Sequence, residues 1–247
     1  MCTLSWTYHN RDHYEVYFNR DEQRTRLAAI EPQDFILDDT NCLMPIDSVG
    51  GGSWISTNQY GVTICLLNYY QGQSPQGTLT SRGLVVKALA SSGSSLAVNV
   101  RLSEMDLSSC APFTLVSFDL SGSKQANAWT WDGKELQQSV VNTPVISASK
   151  HFQAARRYRI ELYERLRQSN DKQHLGVLFH LNRDKDCPHL SPLMSRDDAR
   201  TVSFTSVSVC ADKQEMHYQS IDDAGCIDFE IVKKCLMTNR TEQGVFK

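Results

Sequence analysis

Met1-Cys2-Thr3-Leu4-Ser5-Trp6-Thr7-Tyr8 opens the chain, and Tyr14-Glu15-Val16-Tyr17-Phe18 leads into Asn19-Arg20-Asp21-Glu22. Both runs are rich in residues that suit strands, and His9-Asn10-Arg11-Asp12 between them carries turn chemistry, so the segment predicts a β-hairpin. A tight hairpin returns the Asn19–Glu22 end of its second strand to the side of Cys2. The chemistry at that end depends on Met1. If an aminopeptidase removes it, which the small Cys2 side chain permits, Cys2 bears a thiol and a free α-amine on one carbon. The amine titrates near ~7.7–8 and a free thiol near ~8.5. A modest field then leaves the thiol as nucleophile and the amine as proton shuttle.

A second hairpin follows a weaker stretch, Gln23 to Val49, in which Asp38-Asp39-Thr40-Asn41 reads as a loop. Gly50-Gly51-Gly52 is not a dinucleotide fingerprint, because Ser53-Trp54-Ile55 continues as a strand; the glycines fit a close backbone approach or an unusual turn. Trp54 to Thr57 predicts a strand, Asn58 to Gly61 a turn, and Val62 to Tyr69 a mostly apolar, buried strand. Asn68 stands at the end of that strand. Its amide is suited to donate to the oxyanion of a tetrahedral intermediate, or more simply to satisfy a turn.

Met1-Cys2, Asn19-Arg20-Asp21-Glu22, and Gly51-Gly52-Ser53-Trp54-Ile55 continuing to Asn68-Tyr69 together resemble the NRDE family, which includes the transport and Golgi organisation protein 2 group. That family is similar in turn to the N-terminal-nucleophile hydrolases, in particular the branch with penicillin V acylase and conjugated bile acid hydrolase. The resemblance covers about residues 1–90 and recurs around 195–210. It implies a single domain over 1–247 with an α+β fold, a four-layer αββα sandwich. It also implies that Arg20 lowers the thiol pKa, that Asp21 holds the α-amine, and that Asn68 serves the oxyanion. A second oxyanion asparagine is expected after a later strand. Asn142 is one candidate; an alternative alignment through Ile146-Ser147-Ala148-Ser149 puts Ala148 where NRDE proteins tend to have Asn. For a late arginine the candidate is Arg200, with Arg196 as fallback. The competing reading makes Arg20 with Asp21, and Arg200, ordinary surface charges.

The remaining chain predicts helices over Leu84–Ala90, Leu96–Met105, Lys150–Gln168 and Leu175–Leu181. It predicts a meander of strands from Phe113 to Val141, with a turn at Asp119–Ser123, and late strands over Thr201–Val209 and Glu215–Gln219. In the third helix Phe152, Ala155, Leu162 and Leu166 form the apolar stripe. Hairpins with helices grouped between them argue for α+β rather than alternating α/β. A net charge of −3 offers no basic field for nucleic acid. None of the eight cysteines forms a Cys-x-x-Cys pair, and His9 and His13 flank a turn and not a helix, so neither a cofactor nor a metal is expected. There is no apolar signal core and no bilayer-spanning run, so a reducing cytoplasm is the expected location.

The leading expectation is an N-terminal cysteine hydrolase acting on a small-molecule amide or related acyl bond. An acyltransferase differs only in its acceptor. A lipid or acyl-metabolite binding or trafficking protein, using the same cleft without turnover, is the alternative of another class. A homo-oligomer is compatible with either.

Overall fold

The structure, a computed structural model, describes residues 2–120, 125–168, 174–223 and 231–237. Met1, Cys226 and most of the turn expected at Asp119–Ser123 lie outside them.

The opening hairpin is β1 (Cys2–Tyr8) and β2 (Tyr14–Gln23). Strand β2 runs on through the whole Asn19–Glu22 motif. Alternation then sorts its side chains: Tyr14, Val16 and Phe18 enter the main core, which places Arg20 on the same face, while Glu15, Tyr17, Asn19 and Asp21 turn to the other.

The stretch expected to be irregular is a hairpin of β3 (Ile30–Leu37) and β4 (Thr40–Ile46). Asp38 and Asp39 both hold positive φ, 47° and 59°, as a two-residue primed turn requires and as Asp tolerates. Strand β3 is largely exposed at a sheet edge, so no apolar alternation marked it. Strands β5 (Ile55–Asn58) and β6 (Thr63–Asn68) form the second hairpin as expected. Helices α1 (Gly83–Leu89) and α2 (Ser95–Ser103) precede the meander β7 (Phe113–Phe118), β8 (Asn127–Trp131) and β9 (Leu136–Val140). The short β10 (Val145–Ser147), helices α3 (Phe152–Arg167) and α4 (Leu175–His180), and strands β11 (Ala199–Val209), β12 (Lys213–Ser220) and β13 (Val232–Met237) complete the order.

Two antiparallel sheets result. One has the order β10-β1-β2-β11-β12-β13, the other β3-β4-β5-β6-β7-β8-β9. The main core lies between them, joining Leu4, Trp6 and Phe18 of the first to Ile55, Leu67, Val116 and Phe118 of the second. Strand β6 reads as continuously apolar because both of its faces are buried: Cys65 and Leu67 face the other sheet, whereas Ile64 and Leu66 pack on Val85, Val86, Leu89 and Leu102 of α1 and α2. Helices α3 and α4 cover the opposite surface, with Tyr163 and Phe179 packed edge to face at 5.1 Å. The layers run αββα.

The loop after β4 docks on the start of α1. A Cβ on Gly52 would meet the Gly83 carbonyl carbon at 2.1 Å, so the close approach expected of the triple glycine is real. It brings Asp47 and Arg82 to the mouth of the space between the sheets.

Candidate active site

Cys2 is paired directly with Arg20 across the β1–β2 ladder. On its other side it is paired with Ser147 of β10, a strand too short to show in the sequence pattern. The Ser147 hydroxyl donates to the Asn68 carbonyl, which ties the end of β6 in the second sheet to the strand beside Cys2. Cys2, Arg20, Asp21 and Asn68 all line one cleft of about 590 Å³, together with Glu22, Arg26, Asp47, Trp54, Arg82, Ser149, Arg196 and Asp198. A cleft of that size suits a small-molecule ligand.

Arg20 is 6% exposed and its guanidinium lies 4.4 Å from the Trp54 ring centroid, a cation–π contact. Its charge is shared with Glu22 at 3.3 Å and Asp47 at 3.5 Å. Against the burial that raises it, the Arg26 hydrogen bond and the charges of Arg26 and Arg20 hold the Asp47 carboxyl below its ordinary value. Burial pushes the Cys2 thiol above its ordinary range. It outweighs the terminal ammonium, the Asp21 backbone N–H and the Arg20 guanidinium, which pull the other way; the Asp21 carboxylate adds to the rise.

Asp21 accepts a hydrogen bond from Thr201 Oγ1 at 2.6 Å. Its other oxygen lies 3.8 Å from Arg159 Nη1, and both side chains are at most 1% exposed. Arg159 comes from α3 and also donates to Thr3 Oγ1 and to the Leu190 and Ser191 carbonyls. A buried guanidinium so fully bonded fixes the carboxylate beneath Cys2. Sequence reading passed over it, although the signal was present: residue 159 falls on the stripe of Phe152, Ala155, Leu162 and Leu166, where a charge is out of place.

The other expected residues separate. Asn142 is exposed and does not line the cleft. The strand that supplies Cys2's neighbour starts three residues later, at Val145, which is why the asparagine ahead of it is too far back. Ala148 is buried against Ala155, Met194 and Ala199, and Ser149 is the residue of that segment that reaches the cleft. Arg200 points away: it pairs with Asp223 at 2.7 Å and donates to the Ile221 carbonyl. Arg196 lines the cleft in its stead, donating to both oxygens of Asp198 at 2.9 and 3.2 Å. The turn closed between Arg196 and Ala199 points Arg196 inward, and the next residue on β11 faces outward.

Arg82 donates to the Pro112 carbonyl at 3.1 Å. Among the described residues it is the cleft arginine with no carboxylate within 4.0 Å, whereas Arg20, Arg26 and Arg196 each have at least one.

This architecture has known counterparts. It is similar to a conjugated bile acid hydrolase from Clostridium perfringens, with a TM-score of 0.57 and 11% identity, covering 95% of this chain and 92% of that chain. It is also similar to an N-acylethanolamine-hydrolyzing acid amidase ortholog from Caenorhabditis elegans, with a TM-score of 0.55 and 10% identity over 83% of this chain and 92% of that one. Penicillin V acylase from Agrobacterium tumefaciens gives a TM-score of 0.51 and 9% identity over 91% and 86%. The fold is therefore that of the N-terminal-nucleophile hydrolases. No curated protein matches the chain by sequence. The sequence pattern of the Transport and Golgi organisation 2 family matches residues 1–223, and the chain belongs to that family.

Proposed function

We propose that this protein is an N-terminal cysteine hydrolase that cleaves a linear amide or related acyl bond through an acyl-enzyme on Cys2. The observation that carries the reading is the cross-strand pairing of Cys2 with Arg20 on the wall of a cleft that also holds Asp21 and Asn68. The fold neighbours, named as an acylase, an amidase and a bile acid hydrolase, support the same class of bond.

In this reading Met1 is removed and Asp21, braced by Arg159 and Thr201, holds the new α-ammonium of Cys2. That charge sits nearer the sulfur than the terminal ammonium of the unprocessed chain, and with Arg20 it offsets the burial that raises the thiol. The sulfur attacks the carbonyl carbon, and the electron pair moves to oxygen. Asn68 donates to that oxygen. As the C–N bond breaks, the Cys2 amine delivers the thiol proton to the leaving nitrogen. Water then attacks the thioester, its proton passes to the amine and on to the sulfur, and the acid leaves. Arg82, with no carboxylate within 4.0 Å among the described residues, is the residue for an anionic group on the substrate, either carboxylate or phosphate. Action in the cytoplasm fits the thiol chemistry, and no helix among the described residues is long and apolar enough to cross a membrane.

Intact mass of untagged protein, before and after brief exposure to an acyl electrophile and followed by peptide mapping, tests the reading. Loss of Met1 with single labelling at Cys2, ahead of the less buried Cys187, Cys210 and Cys235, is expected. Retained Met1, or label spread over those three, would remove the amine-assisted mechanism and favour a binding protein for acyl metabolites. Turnover with a second acceptor in place of water would identify an acyltransferase.

A further inference from the structure

The end of the first hairpin remote from Cys2 carries a second constellation. His9 and His13 flank a turn and share no helical face, for which reason no metal was expected, but the turn is closed by His9 N–H and Asn10 N–H donating to the His13 carbonyl, at 3.0 and 3.4 Å. The two imidazoles consequently face each other across the hairpin mouth, stacked with centroids 4.4 Å apart. Glu15, two residues on, places Oε2 2.6 Å from His9 Nε2. One ligand atom from each of His9, His13 and Glu15 lies within 4.8 Å of the others.

Two further observations indicate a ligand. These residues open onto a cavity of about 620 Å³, distinct from the Cys2 cleft, which His174 and His217 also line. The register explains the gathering: Glu15 is opposite Ser208 and Tyr17 opposite Ser206, and His217 is opposite Ser206 in turn, so one face of β2, β11 and β12 is polar where its reverse packs Val16, Val207 and Met216. Moreover, His217 Nε2 is buried without a hydrogen-bond partner among the described residues. The supporting groups are also in place. Tyr17 Oη donates to Glu15 Oε2 at 2.8 Å, and Ser208 Oγ lies 3.1 Å from His13 Nε2. Glu215 is engaged by Lys213 and Lys233 at 3.2 and 3.0 Å, which leaves Glu15 as the carboxylate for an incoming cation.

We propose that His9, His13 and Glu15 form a binding site for a divalent transition-metal ion of the zinc type at the edge of this cavity. Two imidazoles and one carboxylate are a ligand set that zinc accepts, and a donor held by an outer hydroxyl, as Glu15 is by Tyr17, is how such ligands are oriented. A cation entering between His9 and Glu15 takes the place of their mutual hydrogen bond. It closes the hairpin whose other end presents Cys2 and Arg20, so the site is structural.

The test uses chelator-stripped full-length protein titrated with Co(II), read by visible absorption, and with Zn(II), read by calorimetry and by the histidine ring resonances in NMR. One equivalent bound, with d–d bands of a nitrogen/oxygen site and shifts confined to the histidines of this cavity, is expected. Binding should be lost in His9→Ala and His13→Ala, and weakened about 10–100-fold in Tyr17→Phe, which removes only the hydroxyl behind Glu15. His9 and His13 lie at the hairpin mouth, and thermal melts of their variants without metal should match the parent; Tyr17→Phe keeps the buried ring stacked on Phe204. No binding, binding unchanged in both histidine variants, or a thiolate-to-cobalt charge-transfer band would overturn the proposal. The wild-type histidine resonances report the ligands directly, whether or not a variant folds.

Discussion

His180 is fully buried in α4, where its ring nitrogen meets Ser5 Oγ of β1 at 2.9 Å and its carbonyl accepts from the Asn19 amide at 2.8 Å. It therefore fastens a helix to both strands of the hairpin that carries Cys2 and Arg20. Burial, and then the charge of nearby Arg159, push its pKa down to about 3, whereas in the unfolded chain an imidazole titrates near ~6.5. Between those two values the unfolded chain binds a proton that the folded chain refuses. Stability must therefore fall as pH drops below about 6.5, at up to about 1.4 kcal/mol per pH unit. From pH 7 to pH 5 the loss attributable to this one residue is about 2 kcal/mol. Urea unfolding of the parent and of His180→Gln at pH 7, 6 and 5 measures it. The variant starts from a lower stability, but its curve should be shallower by that amount. Other histidines and the carboxylates titrate equally in both proteins and cancel in the difference. Parallel pH dependences in the two proteins would refute the argument that His180 is held neutral by burial.

Asn68→Ala should lower kcat by about 10²–10³ while leaving alkylation of Cys2 by iodoacetamide, which forms no oxyanion, intact, whereas Asn142→Ala, outside the cleft, should leave steady-state kinetics unchanged. Arg20→Gln should slow labelling of Cys2 at neutral pH by lowering its thiolate fraction; Arg200→Gln, whose side chain faces Asp223, should not, as a pH series of labelling rates will show. Arg159→Met leaves the Asp21 carboxylate buried without its countercharge and should cost about 3–5 kcal/mol in denaturant unfolding.

Each opening hairpin was legible because its determinants are local. Turn residues sit between alternating runs, and a tight loop fixes which residues oppose each other, so Cys2 had to return to the neighbourhood of Arg20. The apolar run of β6 likewise announced a strand buried on both faces, with Asn68 at its end. The β3–β4 hairpin escaped because exposure removed its alternation, and its turn uses paired aspartates where glycine or asparagine would have drawn notice.

What the sequence by itself determined, then, is the hairpin framework, the family, and the cluster of Cys2, Arg20, Asp21 and Asn68 as candidates for one site. Tertiary structure decided the rest. The three-residue β10 strand beside Cys2, the choice of Arg196 over Arg200 at the cleft, and the reach of Arg159 from α3 to Asp21 all join residues far apart in the chain. The same holds for His217, which lines the same cavity as His9 and His13. Such contacts depend on which sheet face a residue occupies and on how two sheets and their helices stack. Those are properties of long-range packing, which local propensity and periodicity do not encode.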